Sequence, residues 1–422
     1  MIHISLPDMM SSIRRLDREE GLRCTLLGIG PMSEAVIEAS FLLAKERDFP
    51  LMFIASRNQV DAEELGGGYV RNWDQRAFVG ALRDMAVKTG FEGIYHVCRD
   101  HGGPWQRDKE RADKLPEPEA MALGKRSYLA DLLAGFDLLH IDPTKDPHCT
   151  GVVPMESVIG RTVELIGYVE AERRARNLPP VAYEVGTEET NGGLTSQDAY
   201  GLFMTELNAR LAARKLPMPV FIVGQTGTLV RMTENVGRFD METAGKLASK
   251  AASFGVGLKE HNSDYLPDAA LYMHPVVGIT AANVAPEFGV VETGAYLMLA
   301  EIEQNAYRLG LFEHKSDFIG EIGKAAVECQ RWRKWMAGGQ GNMPVEDVMK
   351  DEALVQLITE TAGHYTLEND AVKLQLKLLF ANLEGIGLNP HAIAIGRIKK
   401  SINRYVECFN LSGLTGRITG KR

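Results

Sequence analysis

The sequence predicts an α/β chain folded as a (β/α)8 barrel of the TIM type, followed by a helical C-terminal extension. Three observations lead there. Eight short apolar runs, each about as long as a buried parallel strand, alternate with amphipathic helical stretches. Together these units occupy about 290 residues, the length of an eight-fold α/β barrel. After Leu309 the apolar runs stop and helical periodicity takes over.

The elements follow in order. Cys24–Ile29 is the first run and leads into a helix over Met32–Arg47. No G-x-G-x-x-G follows it: Gly28-Ile-Gly30-Pro-Met-Ser lacks the third glycine, which argues against a doubly wound dinucleotide sheet. Leu51–Ala55, Gly93–Val97 and Phe136–Ile141 are the next strands, with helices over Asp74–Thr89, Pro118–Leu133 and Pro154–Asn177. Pro154 suits a helix start. Val181–Val185 precedes a helix over Gln197–Lys215, which Ser196 or Thr195 can cap. Val220–Val223, Gly255–Lys259 and Val276–Asn283 complete the strands, with helices over Met241–Ser253 and Glu287–Leu309. The expected barrel occupies residues 1–310 and carries the active site. The extension, residues 311–422, reads as helices over Lys315–Lys334, Val345–Thr361, Ala371–Leu383 and His391–Tyr405, ending in a mobile polar tail from Gly413.

Composition narrows the function classes. The chain has 422 residues, 45% apolar and 24% charged, with net charge −9. That is ordinary for a globular protein and too apolar for disorder. Without a block of basic charge, nucleic acid is not expected as a partner. The apolar runs fall far short of the roughly 20 residues of a spanning helix. The N-terminus lacks a basic stretch followed by an apolar one, so no secretion signal is read there. Five scattered cysteines without a CxxC pair fit a reduced, cytoplasmic protein.

In such a barrel, chemistry belongs to the C-terminal ends of the strands. Polar residues gather there repeatedly: Ser56-Arg-Asn58-Gln59, Arg99-Asp100-His101-Gly102-Gly103, Asp142, Glu184 with Thr187-Glu188-Glu189, Gln225-Thr226-Gly227, and Glu260-His261-Asn262-Ser263-Asp264. The His101 imidazole suits a metal, with Asp100 as base or supporting partner; taken alone, the tripeptide fits a histidine satisfying a tight loop better. His261-Asn-Ser-Asp264 at another strand end tips the balance toward metal. Glu184 and Glu188 read as ligands or acid–base groups. Asp142 is a strand-end carboxylate or a cap for the loop holding Pro143. His96 and His140 lie within apolar runs and read as core histidines. Lys259 reads as an ion-pair partner inside the barrel rather than a Schiff-base lysine. Trp332 and Trp335 read as helix packing with snorkelling cations.

Several of these motifs keep the order of a known family. Ser56-Arg-Asn-Gln-Val-Asp61 with Gly66-Gly-Gly-Tyr69, Asp100-His-Gly-Gly-Pro104, His140-Ile-Asp142, Gly186-Thr-Glu188, Gln225-x-Gly227 and His261-x-x-Asp264-Tyr265 resemble the so-called non-catalytic subunits of class II tagatose-1,6-bisphosphate aldolase, also labelled tagatose-6-phosphate kinase. The resemblance runs from about Cys24 to Leu299. It implies a barrel related to class II aldolases, with some relatives acting as metal-dependent ketose C4-epimerases. Carried over position by position, it implies His101, Glu188 and His261 as metal ligands and Asp100 as base. Beyond about residue 310 the chain departs: His364-Tyr-Thr-Leu-Glu-Asn369 stands where the family has an arginine–tyrosine-rich stretch. Neither a P-loop nor a kinase set supports the kinase label.

The expected reaction is retro-aldol C3–C4 chemistry on a ketose or ketose phosphate in carbohydrate catabolism, giving aldolase or C4-epimerase activity with a divalent ion, zinc foremost. Asp100, Glu184 and Asp264 are the expected proton-transfer groups. Asn58, Gln59, Asp142, Gln225, Asn262 and Ser263 are expected to contact substrate, and Asn283 to lie near a phosphate. A homo-oligomer is expected. The alternative is a non-catalytic subunit that stabilises a separate aldolase partner.

Overall fold

The computed structural model describes residues 2–187, 193–336 and 339–420. Eight parallel strands close into a barrel: β1 (Leu26–Ile29), β2 (Leu51–Ser56), β3 (Tyr95–Gly102), β4 (Leu138–Ile141), β5 (Ala182–Gly186), β6 (Phe221–Val223), β7 (Gly257–Glu260) and β8 (Ile279–Val284). Each strand pairs with its sequence neighbours, and β1 pairs with β8, Leu26 opposite Ala281 and Ile29 opposite Val284. Closure leaves no sheet edge to protect.

The apolar runs form strands because both faces are covered. Leu26, Ile29, Leu51, Phe53, Leu138 and Ile222 are buried, between the barrel interior and an outer layer of helices. Those helices start where local chemistry satisfies their first N–H groups. Ser33 accepts from Val36 N, Asp74 from Ala77 N, Ser196 from Ala199 N and Asp240 from Thr243 N. Gly90 and Gly135 end two of them in the left-handed conformation.

Some element limits differ from the sequence expectation, for physical reasons. β3 runs on through Arg99, Asp100 and His101 to Gly102, because it pairs with β2 as far as Ser56 opposite Asp100. β8 starts only at Ile279, since Asp268–Val277 is a helix with Pro275 near its end. A helix over Leu6–Glu20, not read from the sequence, buries Met9, Met10 and Leu16. The expected mobile tail is instead a short helix over Leu414–Thr419. Gly413 N and Thr415 N donate to Arg47 O and Asp48 O, and Leu414 is buried.

The C-terminal region is helical and wraps the barrel. The helix over Pro286–Arg308 packs against the one over Pro390–Cys408, which also packs against Glu34–Arg47. Between them, Phe318–Glu328, Glu352–Ala362 and Asp370–Gly385 are helices, and Arg331–Trp335 is a single 3-10 turn. Among the described residues, no helix is long and apolar enough to cross a membrane.

Candidate active site

The register between β3 and β4 slips between Arg99 and Gly102. His101, inside that slip, adopts φ 44°, and Gly103 follows at φ 113°. A side chain on Gly102 would collide with Tyr128. This strained, glycine-backed bulge carries the His101 ring to the barrel mouth, a placement typical of functional backbone strain.

Three imidazoles meet there. The ring nitrogens of His101, His140 and His261 include one from each residue within 4.8 Å of the others. His101 comes from β3, His140 from β4, and His261 follows β7. Carboxylates fix two of the rings from behind. Asp142 Oδ2 accepts from His101 Nδ1 at 2.6 Å, and Glu184 Oε1 accepts from His261 Nε2 at 2.5 Å. The remaining nitrogens, His101 Nε2 and His261 Nδ1, then face each other at 3.1 Å. Two lone pairs at that separation repel unless a proton or a cation lies between them. His140 accepts the His101 backbone N–H at Nδ1, and its buried Nε2 has no hydrogen-bond partner among the described residues.

The electrostatics suit metal ligands. Burial pushes His140 and His261 down to about 3, so both rings are neutral and hold free lone pairs near pH 7. For His101 burial works the same way, but the Asp100 and Asp142 carboxylates outweigh it and raise the ring. Asp142 is held well below the usual carboxylate range: burial opposes this, and the bond to His101 overrides it. Carboxylates that orient histidines in this way form the usual outer support of a metal centre. The donor set therefore fits a divalent ion.

Glu184 is fully buried, and its second oxygen accepts from Lys259 Nζ at 2.6 Å. Both oxygens are thus engaged, and the residue acts through His261 and Lys259. Lys259 is the expected barrel ion-pair partner. Asp100 Oδ1 accepts from Asn283 Nδ2 at 3.0 Å and lies 3.7 Å from His261 Nδ1. Gly28 makes this possible, because a Cβ there would stand 2.3 Å from Asn283 Oδ1. Asp264 Oδ1 accepts from the backbone of Ala285 and Glu287 at 3.0 and 2.9 Å. Burial, with Glu287 nearby, still pushes its carboxyl up to about 7.

One cavity of about 210 Å³ opens onto this cluster. Of the residues singled out in the sequence, Asn58, Gln59, Asp100, His101, His261, Asn262, Asp264 and Asn283 line it. Other expected residues do not reach it. Asp142 spends its oxygens on His101 and Thr144, Ser263 donates to Glu260 and is buried, and Gln225 is buried away from the lining. Asn283 is bonded to an acidic group, a poor companion for a phosphate. Glu188 lies outside the described residues.

Sequence reasoning missed two things. His140 was assigned to the core because its run is apolar; its adjacency to Asp142, two residues on, was the available signal. The second is the C-terminal wall of the cavity: Arg331, Lys334, Trp335 and Tyr365 also line it. Trp332 behaves as expected, buried and donating to Val327 O, whereas Trp335 faces the cavity.

The family described as D-tagatose-1,6-bisphosphate aldolase subunit GatZ/KbaZ-like matches residues 11–346. A search of curated proteins finds no match. Among solved structures, a probable tagatose 6 phosphate kinase from Sinorhizobium meliloti 1021 superposes with TM-score 0.72 at 19% identity, covering 91% of this chain and all (100%) of that one. The glycerol complex of fructuronate-tagaturonate epimerase UxaE from Cohnella laeviribosi superposes with TM-score 0.54 at 14% identity, covering 95% of this chain and 86% of that one. At these identities the structural likeness speaks for the fold.

Proposed function

The chain belongs to the D-tagatose-1,6-bisphosphate aldolase subunit GatZ/KbaZ-like family, and from that premise we propose that it is a metal-dependent ketose aldolase or C4-epimerase. The observation that carries the reading is the convergence of three imidazoles beside Asp100 at the mouth of the barrel. Imidazole donors suit zinc. His101, His140 and His261 would hold the ion, with Glu188 as a further candidate. When bound, such an ion supplies Lewis-acid polarisation of a ketose carbonyl.

The chain's own residues do the rest. Asp100, held by Asn283, takes the proton of the C4 hydroxyl. The C3–C4 bond then breaks, its electron pair passing to the ketone-bearing fragment as an enolate while C4 becomes an aldehyde. Release of the fragments, with a proton returned to C3, is aldolase chemistry. Rotation of the aldehyde and re-formation of the bond on its other face, with the proton returned to the C4 oxygen, is epimerisation. Asp264, its carboxyl raised to about 7 by burial, exchanges a proton with the substrate. Asn58, Gln59 and Asn262 orient hydroxyl groups. Lys259 and Glu184 keep the His261 ring in place.

A second reading is a subunit that stabilises a separate aldolase, and the family's description as a subunit favours it. Against it stands the cost of burying unpaired polar groups that a structural barrel does not need. The test is metal analysis of the purified chain together with assays of ketoses, ketose phosphates and keto-uronates in the absence of any partner. Stoichiometric metal and turnover by the chain alone support the enzyme. A metal-free chain that only raises the activity of a separate aldolase establishes the subunit.

A further inference from the structure

The cavity is electrically divided. His101, His261, Asp100 and Asp264 line one part of it. Another part of its wall comes from the C-terminal region, where the 3-10 turn Arg331–Trp335 and Tyr365 reach the lining. The Arg331 guanidinium carbon lies over the Tyr69 ring, 4.5 Å from its centroid, with the Tyr365 ring at 5.4 Å. Among the described residues its guanidinium pairs with no carboxylate and donates no hydrogen bond to protein. Contact with two aromatic rings holds the cation in place and leaves its N–H groups for something else.

Lys334 shares this wall. Its ammonium stands 4.0 Å from Asp108 and about half of its side chain (47%) is exposed. Asp108 is already engaged by Arg111. Burial acts against ionising Asp108, yet Lys334, Arg111 and Arg331 together hold its carboxyl below the usual range. The neighbourhood therefore has more cationic than anionic charge. Lys145 lines the same cavity and adds to the field.

We propose that Arg331 and Lys334 form a subsite for an anionic group of the substrate, a phosphate or a carboxylate. This rests on the proposed ketose chemistry and names its substrate class: an acidic ketose derivative. Arg331 supplies a planar fork for two oxygens, and Lys334 a point charge. Such a clamp also explains why a helical region far along the chain packs over the barrel mouth: it completes the pocket that the strand ends begin.

The test is calorimetric titration of the full chain, zinc present, with D-tagatose, D-tagatose 6-phosphate and D-tagaturonate. At least one charged probe is expected to bind about tenfold or more tightly than the neutral sugar. The better of the two identifies the group as phosphate or carboxylate. The double variant R331Q/K334Q is expected to bind charged and neutral probes alike. Equal affinities in the wild type, no binding of either charged probe, or a preference that survives the double variant each overturn the subsite. Should the double variant melt early, a salt series on the wild type replaces it: the preference falls as ionic strength rises, and a salt-independent preference overturns the proposal. Because binding is the readout, the subsite stands or falls apart from turnover. A chain that prefers acidic probes but turns none over loses the reaction and keeps the subsite.

Discussion

His101 Nε2 and His261 Nδ1 face each other at 3.1 Å, although the residues are 160 positions apart in the chain. Asp142 holds the far nitrogen of one ring and Glu184 that of the other. Each ring is thereby turned so that its free nitrogen points to the same spot. That common focus, and the third ring of His140 beside it, is the basis of the metal assignment.

The first prediction concerns those rings. His101→Ala, His140→Ala and His261→Ala each lose at least about 90% of bound zinc and of turnover, as expected when one of few ligands is removed. Circular dichroism should show the fold intact. Elemental analysis after dialysis decides the matter: variants that retain full metal content remove the histidines from the ligand set.

Asp100→Asn separates binding from chemistry. It keeps the hydrogen bond to Asn283 and the shape of the site but cannot accept a proton. Metal content should stay at the wild-type level while kcat falls about 100-fold or more, the usual range for a lost general base. An unchanged kcat reassigns the base, with Asp264 next in line.

The barrel was legible because its strands are buried on both sides and so appear as unbroken apolar runs. The strand-end acids and His101 and His261 were legible because they stand where those runs stop. His140 was not, since Leu138, Leu139 and Ile141 surround it with apolar sequence and only three-dimensional closure turns it toward the other rings. Ser263 and Asp142 share the strand-end signature yet serve Glu260 and His101. Sequence position does not tell a residue facing the substrate from one supporting it. Arg331 and Lys334 were beyond reach for another reason: their approach to the cavity depends on long-range packing of the C-terminal helices, which local periodicity does not encode.

The Lys259–Glu184 pair should be expensive to break. Both side chains are almost wholly buried, exposed by only 1% and 0%. Lys259→Met leaves Glu184 charged with one partner fewer, and a loss of about 3–5 kcal/mol in urea unfolding is expected. The double change Lys259→Met with Glu184→Gln should recover a good part of it. A single variant as stable as wild type removes the pair from the supports of His261.

Glu292 carries the pH prediction. It is buried on the helix over Pro286–Arg308. One oxygen accepts from Tyr296 Oη at 2.8 Å, and the other has no partner among the described residues. Burial raises its carboxyl to about 7, against the nearby Ser33 and Tyr296 hydroxyl groups, which favour the charged form. In the unfolded chain the group returns to an ordinary value near 4.3. Between these values the folded state binds the extra proton, so the protonated group's contribution is fully present below about pH 4.3 and is lost as pH rises through about 7. Glu292→Gln stays neutral throughout. Relative to wild type it should gain roughly 3–4 kcal/mol at pH 8, and only about 1 kcal/mol at pH 5. Urea unfolding of both proteins across that range checks it, and a stability difference that does not change with pH would show that Glu292 does not titrate on folding.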